Sequence, residues 1–243
     1  MALQRLLRCD DRASLAQETA ALLLTALAAR QERGGSASLC LTGGPLANEV
    51  LDQFALQAPG SALNASALHL WWNWDYFIAT DNPERNSLQA LSRLAGALPL
   101  DPSKIHPIPS QSATSDPEAG AAQYAQELKE AAPIDICLLE VGLGGQVAGI
   151  FPRHLDPPLA ALAAGISDAP LPHPQLVTLT RAGLNTCREI WVLASGTVGA
   201  TQLKQVAADD PTLPATYLNS AEPVLWLVDD TAAAALPYHR CSL

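Results

Sequence analysis

The sequence is poor in positive charge. Its 243 residues include 14 Lys and Arg against 24 Asp and Glu, so the formal net charge is −10. Only three of the basic residues are lysines, namely Lys104, Lys129 and Lys204. Such a balance argues against nucleic acid and against an anionic membrane as binding partners. Any anionic small molecule must therefore rely on a few individually placed cations.

The sequence also lacks long apolar runs and paired cysteines. No window of about twenty residues is continuously apolar, which argues against a membrane span. The charged N-terminal segment MALQRLLRCDDRAS is unlike a secretory signal. The five cysteines are dispersed without a CxxC pair, as is typical of reduced thiols, so we expect a cytoplasmic protein. No spacing among His, Cys and acidic residues predicts a metal site, and no cofactor is expected.

Short apolar segments alternate with amphipathic ones along the chain. Hydrophobic residues make up 49% of the sequence, enough to bury a sizeable core. Strands are predicted at 36–42, 67–73 and 134–142 and in PQLVTLT, EIWVLAS and VLWLVDD; helices are predicted from Asp10 and Asp11 to Gly34 and Gly35 and at 86–98, 117–131 and 197–208. The Pro-rich stretch 152–174 is predicted to be a surface connection. The alternation predicts a Rossmann-like, doubly wound α/β fold, a mostly parallel sheet with helices on both faces, in a single domain over residues 1–243.

Three loops follow predicted strands at the edge where ligands of such sheets bind. They are residues 42–48, 73–86 and 140–152. In the first loop, Thr42, Gly43 and Gly44 form a turn into a helix, and such a turn can present backbone N–H groups and a helix N-terminus to a phosphate. The same turn also fits a purely structural connection between strand and helix.

Four segments, taken in order, resemble the 6-phosphogluconolactonase family. They are the TGG turn, the tryptophan-rich strand followed by DNPERN, the glycine loop that closes with IFP, and LVTLTRAGLN with REIWVLASG. The resemblance runs nearly end to end. It implies a Rossmann-like domain of the pentose phosphate pathway, related to the glucosamine-6-phosphate deaminases, that needs neither metal nor nucleotide. In that family, water attacks the lactone carbonyl while the phosphate of the substrate lies in a basic pocket.

The glycine loop departs from the family pattern at the position of the general base. The family loop resembles G-M-G-x-x-G-H-x-x-S-L-F-P, in which the histidine is taken to be that base. Counting back from Phe151 and Pro152 places Gln146 at the histidine and Gly144 at a position that is often acidic. The loop therefore keeps its glycines and loses the side chain that would accept a proton.

Further departures affect the expected phosphate contacts. The family strand continues as W-G-D-E/D-R, whereas here Trp74 replaces the first carboxylate, Asp75 keeps the second and Tyr76 replaces the arginine. The pattern S-G-x-x-K ends here at Gly199 instead of lysine, and Pro45 alters the serine-rich end of the TGG turn. Each lost cation removes a charge-assisted contact worth about 1.5–3 kcal/mol.

These substitutions predict a lactonase activity that is lost, or lower than that of an intact relative by about two orders of magnitude or more. A glutamine amide can orient a water molecule but cannot take its proton, and general-base catalysis contributes roughly 10²–10⁴-fold. The candidate catalytic positions are Gln146 and Asp75, although Asp75 fits equally well as a turn cap or as an ion-pair partner of Arg85. The candidate phosphate-binding residues are Thr42, Gly43, Gly44, Arg85, Asn86, Gly142, Gly145, Arg153 and Arg181.

Two alternatives remain open at this point. An active lactonase would use a relocated base and relocated cations at His154, Arg153 and Arg181. A silent domain would bind a sugar phosphate without turning it over, or would serve as a structural or regulatory partner of another enzyme. Trp74 and Tyr76 would favour the structural or regulatory partner if their rings fill the sugar site.

Overall fold

The computed structural model describes residues 5–152, 161–234 and 236. It contains ten strands, listed here in chain order: β1 (Arg5–Cys9), β2 (Ala37–Leu41), β3 (Leu68–Trp72), β4 (Trp74–Tyr76), β5 (Ile105–His106), β6 (Ile136–Glu140), β7 (Ala163–Ile166), β8 (Leu176–Leu179), β9 (Glu189–Ala194) and β10 (Leu225–Asp229). The helices are α1 (Arg12–Gly34), α2 (Pro45–Gln57), α3 (Asn86–Leu94), α4 (Pro117–Glu130), α5 (Arg181–Leu184), α6 (Gly196–Ala207) and α7 (Asp230–Ala233).

Seven of the strands form one parallel sheet flanked by helices. Their order is β1-β10-β9-β6-β2-β3-β5, and every neighbouring pair runs parallel. The central strands are continuously apolar and buried, for example Ile136 to Leu139 in β6, because helices cover both faces of such a sheet. The predicted Rossmann-like α/β fold is confirmed.

Helix α1 begins and ends where the sequence predicted. The Asp11 side chain accepts a hydrogen bond of 2.8 Å from the Ser14 N–H and so caps the first turn. At the other end, Gly35 adopts a left-handed conformation with φ of 76°, which a residue without a Cβ adopts at little cost.

Within the described part of the chain, no helix is both long and apolar enough to span a bilayer.

The strands predicted from the sequence leave out β1, β4, β5 and β7. β1 is only five residues long and carries Arg5 and Arg8, and its partner β10 lies more than 200 residues away in the chain. β7 lies inside the Pro-rich stretch that was predicted to be a surface connection, and that prediction is wrong for Ala163 and Ala164, which are buried. Antiparallel pairing of β7 with β8 and of β8 with β4 builds a second, three-stranded sheet. Such long-range pairing leaves little trace in local sequence pattern.

Candidate functional site

The TGG turn lies between β2 and α2, at the carboxyl edge of the main sheet. Thr42 is buried, and Gly44 has φ of 140°, a conformation that residues with a Cβ rarely adopt. A Cβ on Gly44 would lie 2.3 Å from Oε2 of Glu140, and a Cβ on Gly43 would lie 2.0 Å from Oδ1 of Asn86. The two glycines therefore allow two side-chain oxygens to lie directly against the backbone of the turn.

Glu140 is a site residue that the sequence motifs did not predict. It is the last residue of β6, and its Oε2 accepts a hydrogen bond of 2.8 Å from the backbone N–H of Ala47, in the first turn of α2. A signal was available, because the first glycine of the family loop pattern falls at position 140 when counted back from Phe151 and Pro152. A glutamate at that position brings a carboxylate to the TGG turn, where a glycine brings no side chain.

The electrostatics of Glu140 are set by burial and by four nearby groups. Burial raises the pKa of the Glu140 carboxyl, and the negative charge of Glu49 adds to this effect. The N–H groups of Ala47 and Leu46 and the positive charge of Arg12 act in the opposite direction. Arg12 is itself engaged, since its Nε lies 3.0 Å from both carboxylate oxygens of Glu49. At this edge of the sheet, the single cation of Arg12 thus interacts with two carboxylates, those of Glu140 and Glu49.

The raised pKa of Glu140 predicts a specific pH dependence of stability. The folded protein binds the proton of this carboxyl more tightly than the unfolded chain, so the contribution to stability is present at low pH. It is lost as the pH rises through and above the ordinary glutamate range, about 4.3. In Glu140→Gln the ionisation is absent. We expect the Tm of the variant, relative to that of the wild type, to rise between pH 4 and pH 7.

The matched control for this measurement is Glu222→Gln. Glu222 is exposed, so its substitution is expected to give a Tm difference that changes little over the same pH range. A difference for Glu140→Gln that stays constant or shrinks as the pH rises would contradict the assignment.

Asp75 is a buried cap and ion-pair partner. Its carboxylate lies 2.8 Å from Nη2 of Arg85 and accepts hydrogen bonds from the backbone N–H of Asn86 at 2.7 Å and from the Ser87 hydroxyl at 2.6 Å. Asn86 and Ser87 open α3, so the carboxylate satisfies the donors of that helix N-terminus. This geometry favours the structural interpretation of Asp75 over acid–base work.

The structure corrects the prediction for Arg85. The side chain is 2% exposed, and Nη2 also donates a 2.6 Å hydrogen bond to the carbonyl of Ile108. The guanidinium is therefore held in the interior by Asp75 and Ile108, and the buried Asp75 charge gains the partner it requires. Asn86 does reach the TGG turn, and its Nδ2 donates to the carbonyl of Trp74 at 3.2 Å.

Removing the charge of Asp75 is expected to destabilise the fold strongly. Asp75→Asn leaves the Arg85 guanidinium buried without a countercharge, which typically costs about 3–5 kcal/mol of unfolding free energy. Urea denaturation of the variant and the wild type measures the difference. Asp101→Asn is the control, because Asp101 pairs with Lys104 at the surface and its loss should matter far less. Equal midpoints for Asp75→Asn and the wild type would refute this role.

The glycine loop is closed by its own side chain. Gly142 N–H donates to the carbonyl of Gln146 at 2.9 Å, and Gly144 N–H donates to Oε1 of the same residue at 2.9 Å. The Gln146 amide lies over Gly142, where a Cβ would meet its Nε2 at 2.1 Å. Gly145, with φ of 81°, leaves room for Gln202 of α6, whose amide donates to the carbonyl of Leu143 at 3.3 Å.

The other predicted cation positions fall in different surroundings. Arg181 starts α5, is exposed, and places its guanidinium 5.0 Å from the ring centroid of Tyr217, a cation–π distance. It lies beside Val147 and Ile150, at the end of the glycine loop. Arg153 and His154 lie outside the described residues. At Gly199 a Cβ would come within 2.9 Å of the Ala194 backbone and 3.0 Å of Ala232, so this position faces packed backbone.

Trp74 and Tyr76 lie against each other beside this edge. Their rings meet edge to face at a centroid distance of 5.2 Å, and both side chains are half-buried. Trp74 also packs against a small apolar cluster that contains Phe151 and Leu176. Trp74 therefore connects β4 to the end of the glycine loop.

With this geometry established, comparison with known proteins identifies the family. Residues 10–226 match the family of glucosamine-6-phosphate isomerases/6-phosphogluconolactonase. The chain belongs to this family. A 6-phosphogluconolactonase of Streptomyces coelicolor is 34% identical over 241 residues, covering 93% of this chain and 92% of the relative. One of Mycobacterium leprae is 31% identical over 230 residues, covering 90% and 91%.

A solved structure shows the same fold in the 6-phosphogluconolactonase family. The 6-phosphogluconolactonase from Trypanosoma cruzi superimposes with a TM-score of 0.84 over 96% of this chain and 97% of that one, at 20% sequence identity. This likeness shows the fold, while the family match and the two relatives confirm the resemblance to the 6-phosphogluconolactonase family.

A cavity of about 590 Å³ lies away from this site, at the amino ends of the strands. Its walls include His69 and His106, whose ring nitrogens lie 3.1 Å apart, and His106 is paired with Glu127. Arg30, which also lines it, pairs with Glu189 at 2.6 Å. These groups satisfy one another, and the loops that carry the family motifs lie at the opposite edge of the sheet, where ligands of this fold bind.

Proposed function

We propose that this chain catalyses the lactonase reaction of its relatives, hydrolysis of 6-phosphogluconolactone to 6-phosphogluconate in the pentose phosphate pathway, with a strongly reduced rate. Two relatives that carry the name 6-phosphogluconolactonase align over about nine tenths of the chain. The observation that carries the reduced rate is the engagement of Gln146, whose amide accepts the Gly144 N–H within its own loop.

The chemical reason for a reduced rate is the loss of proton transfer. Lactone opening requires a water molecule to lose a proton as it attacks the carbonyl, and a positioned base contributes roughly 10²–10⁴-fold to that step. An amide has no useful basicity at neutral pH. The glycine loop keeps its hydrogen-bonded shape, so positioning of the lactone is the remaining contribution to catalysis.

A second candidate function is an active lactonase with relocated residues. Its support is the position of Arg181 beside the end of the glycine loop. Against it, the guanidinium is exposed and placed over Tyr217. The other two residues of this hypothesis, His154 and Arg153, lie outside the described residues. The dispersed cysteines, four of which are free in the described chain, support the proposed cytoplasmic location.

Restoring the base provides the direct test of this proposal. We expect wild-type kcat/KM for freshly prepared 6-phosphogluconolactone, corrected for spontaneous opening, to fall about two orders of magnitude or more below that of the Streptomyces coelicolor relative. Gln146→His should raise kcat at least tenfold, because it supplies a group that accepts a proton near neutral pH.

The matched control is Gln126→His, which makes the same substitution on the exposed face of α4. It should leave the rate unchanged. A wild-type turnover equal to that of the relative would contradict the proposal and would make His154 the next residue to test as the base. A silent wild type together with a silent Gln146→His variant would indicate that the phosphate site is lost as well, and would favour a structural or regulatory partner of another enzyme.

A further inference from the structure

The first turn of α2 has few backbone donors to offer an anion. Pro45, at its start, has no N–H, and the N–H of Asn48 is already bonded to the carbonyl of Gly44 at 3.0 Å. Leu46 and Ala47 remain. Both N–H groups act on the Glu140 carboxylate, with the Ala47 bond at 2.8 Å. The chain's own carboxylate therefore takes the donors of this turn.

The space beside the turn is filled as well. A Cβ on Gly44 would lie 2.3 Å from Oε2 and 2.6 Å from Cδ of Glu140, which places the carboxylate directly over that glycine. On the neighbouring glycine, Gly43, the corresponding space is held by the Asn86 amide, with Oδ1 at 2.0 Å from a built Cβ. An external phosphate approaching either glycine meets an oxygen atom of the protein.

The negative charge around the TGG turn also disfavours the binding of a second anion. Arg12 acts on Glu140, but its Nε lies 3.0 Å from both carboxylate oxygens of Glu49. Asp229 contributes further negative charge to the field at Arg12. A phosphate placed here would face two carboxylates and would compete with both for one guanidinium.

We propose that Glu140 is an internal anion that occupies the space beside the TGG turn where a phosphate would bind, and that it weakens the binding of phosphate monoesters in this cleft, 6-phosphogluconolactone included. The inference rests on the proposed function only for the location of the cleft. Glu140 is a specificity-determining residue in this account, because its side chain stands where a phosphate oxygen would otherwise meet the N–H groups of α2.

Calorimetric titration of the full-length protein with inorganic phosphate, and separately with 6-phosphogluconate, tests the proposal. Glu140→Gly removes the carboxylate and clears the space over Gly44, so we expect it to bind both ligands at least tenfold more tightly than the wild type. Glu140→Gln removes the charge but leaves an amide in the same space, and its affinity should lie between the two. If Glu140→Gly does not fold, the comparison of Glu140→Gln with the wild type decides the question.

The matched control is Glu49→Gln, which removes one negative charge from the same corner without freeing an N–H of α2. Its affinity for phosphate should change much less than that of Glu140→Gly. Equal affinities of the wild type and Glu140→Gly, whether both bind or neither does, would overturn the proposal. An equal gain in Glu49→Gln would also overturn it, because general charge would then explain the effect. Binding is read without turnover, so a failure of the proposed lactonase activity remains distinguishable from a failure here.

Discussion

The structure depends on one electrostatic constraint, the concentration of helix N-termini at the carboxyl edge of a parallel sheet. Each N-terminus carries unsatisfied N–H groups and a partial positive charge. In this chain, carboxylates of the protein itself meet them: Asp11 at α1, Glu140 at α2, Asp75 at α3 and Asp229 at both α6 and α7. N–H groups that could bind external anions at this edge therefore donate their hydrogen bonds to carboxylates of the protein.

Hydrogen bonds within the protein are common to the two departures from the family pattern at the site, Gln146 and Glu140. The lactonase chemistry of the family needs a base in the glycine loop and a place for the substrate's phosphate. The side-chain amide of Gln146 accepts a hydrogen bond from the Gly144 N–H of its own loop. Glu140 accepts the hydrogen bond of the Ala47 N–H, a donor that we propose a phosphate would otherwise use. The backbone of the TGG turn and of the glycine loop is retained because it also connects strands to helices. The chain thus keeps the backbone shape of these loops while its side chains at the proposed site differ from the family pattern.

The sequence predicted the sheet, the family and the loops that meet at its edge, because hydrophobic alternation and ordered motifs are local signals. It did not predict β1 or β7, whose pairing partners decide whether they are strands. It also left Asp75 between two roles and missed Glu140, since the bond from Ala47 to Glu140 joins residues 93 positions apart. The side-chain contacts at the site are tertiary contacts, which local sequence patterns do not show. The glutamate in place of the family glycine at position 140 is the one sequence signal for such a contact, the hydrogen bond from Ala47 to Glu140.

The most direct test of the central claim is a crystal structure of the wild-type protein determined in the presence of concentrated phosphate. We expect no anion at the N-terminus of α2. We also expect the Glu140 carboxylate to lie within hydrogen-bond distance of the Ala47 N–H. A phosphate bound to the N–H groups of Leu46 and Ala47, with the Glu140 side chain displaced, would contradict it.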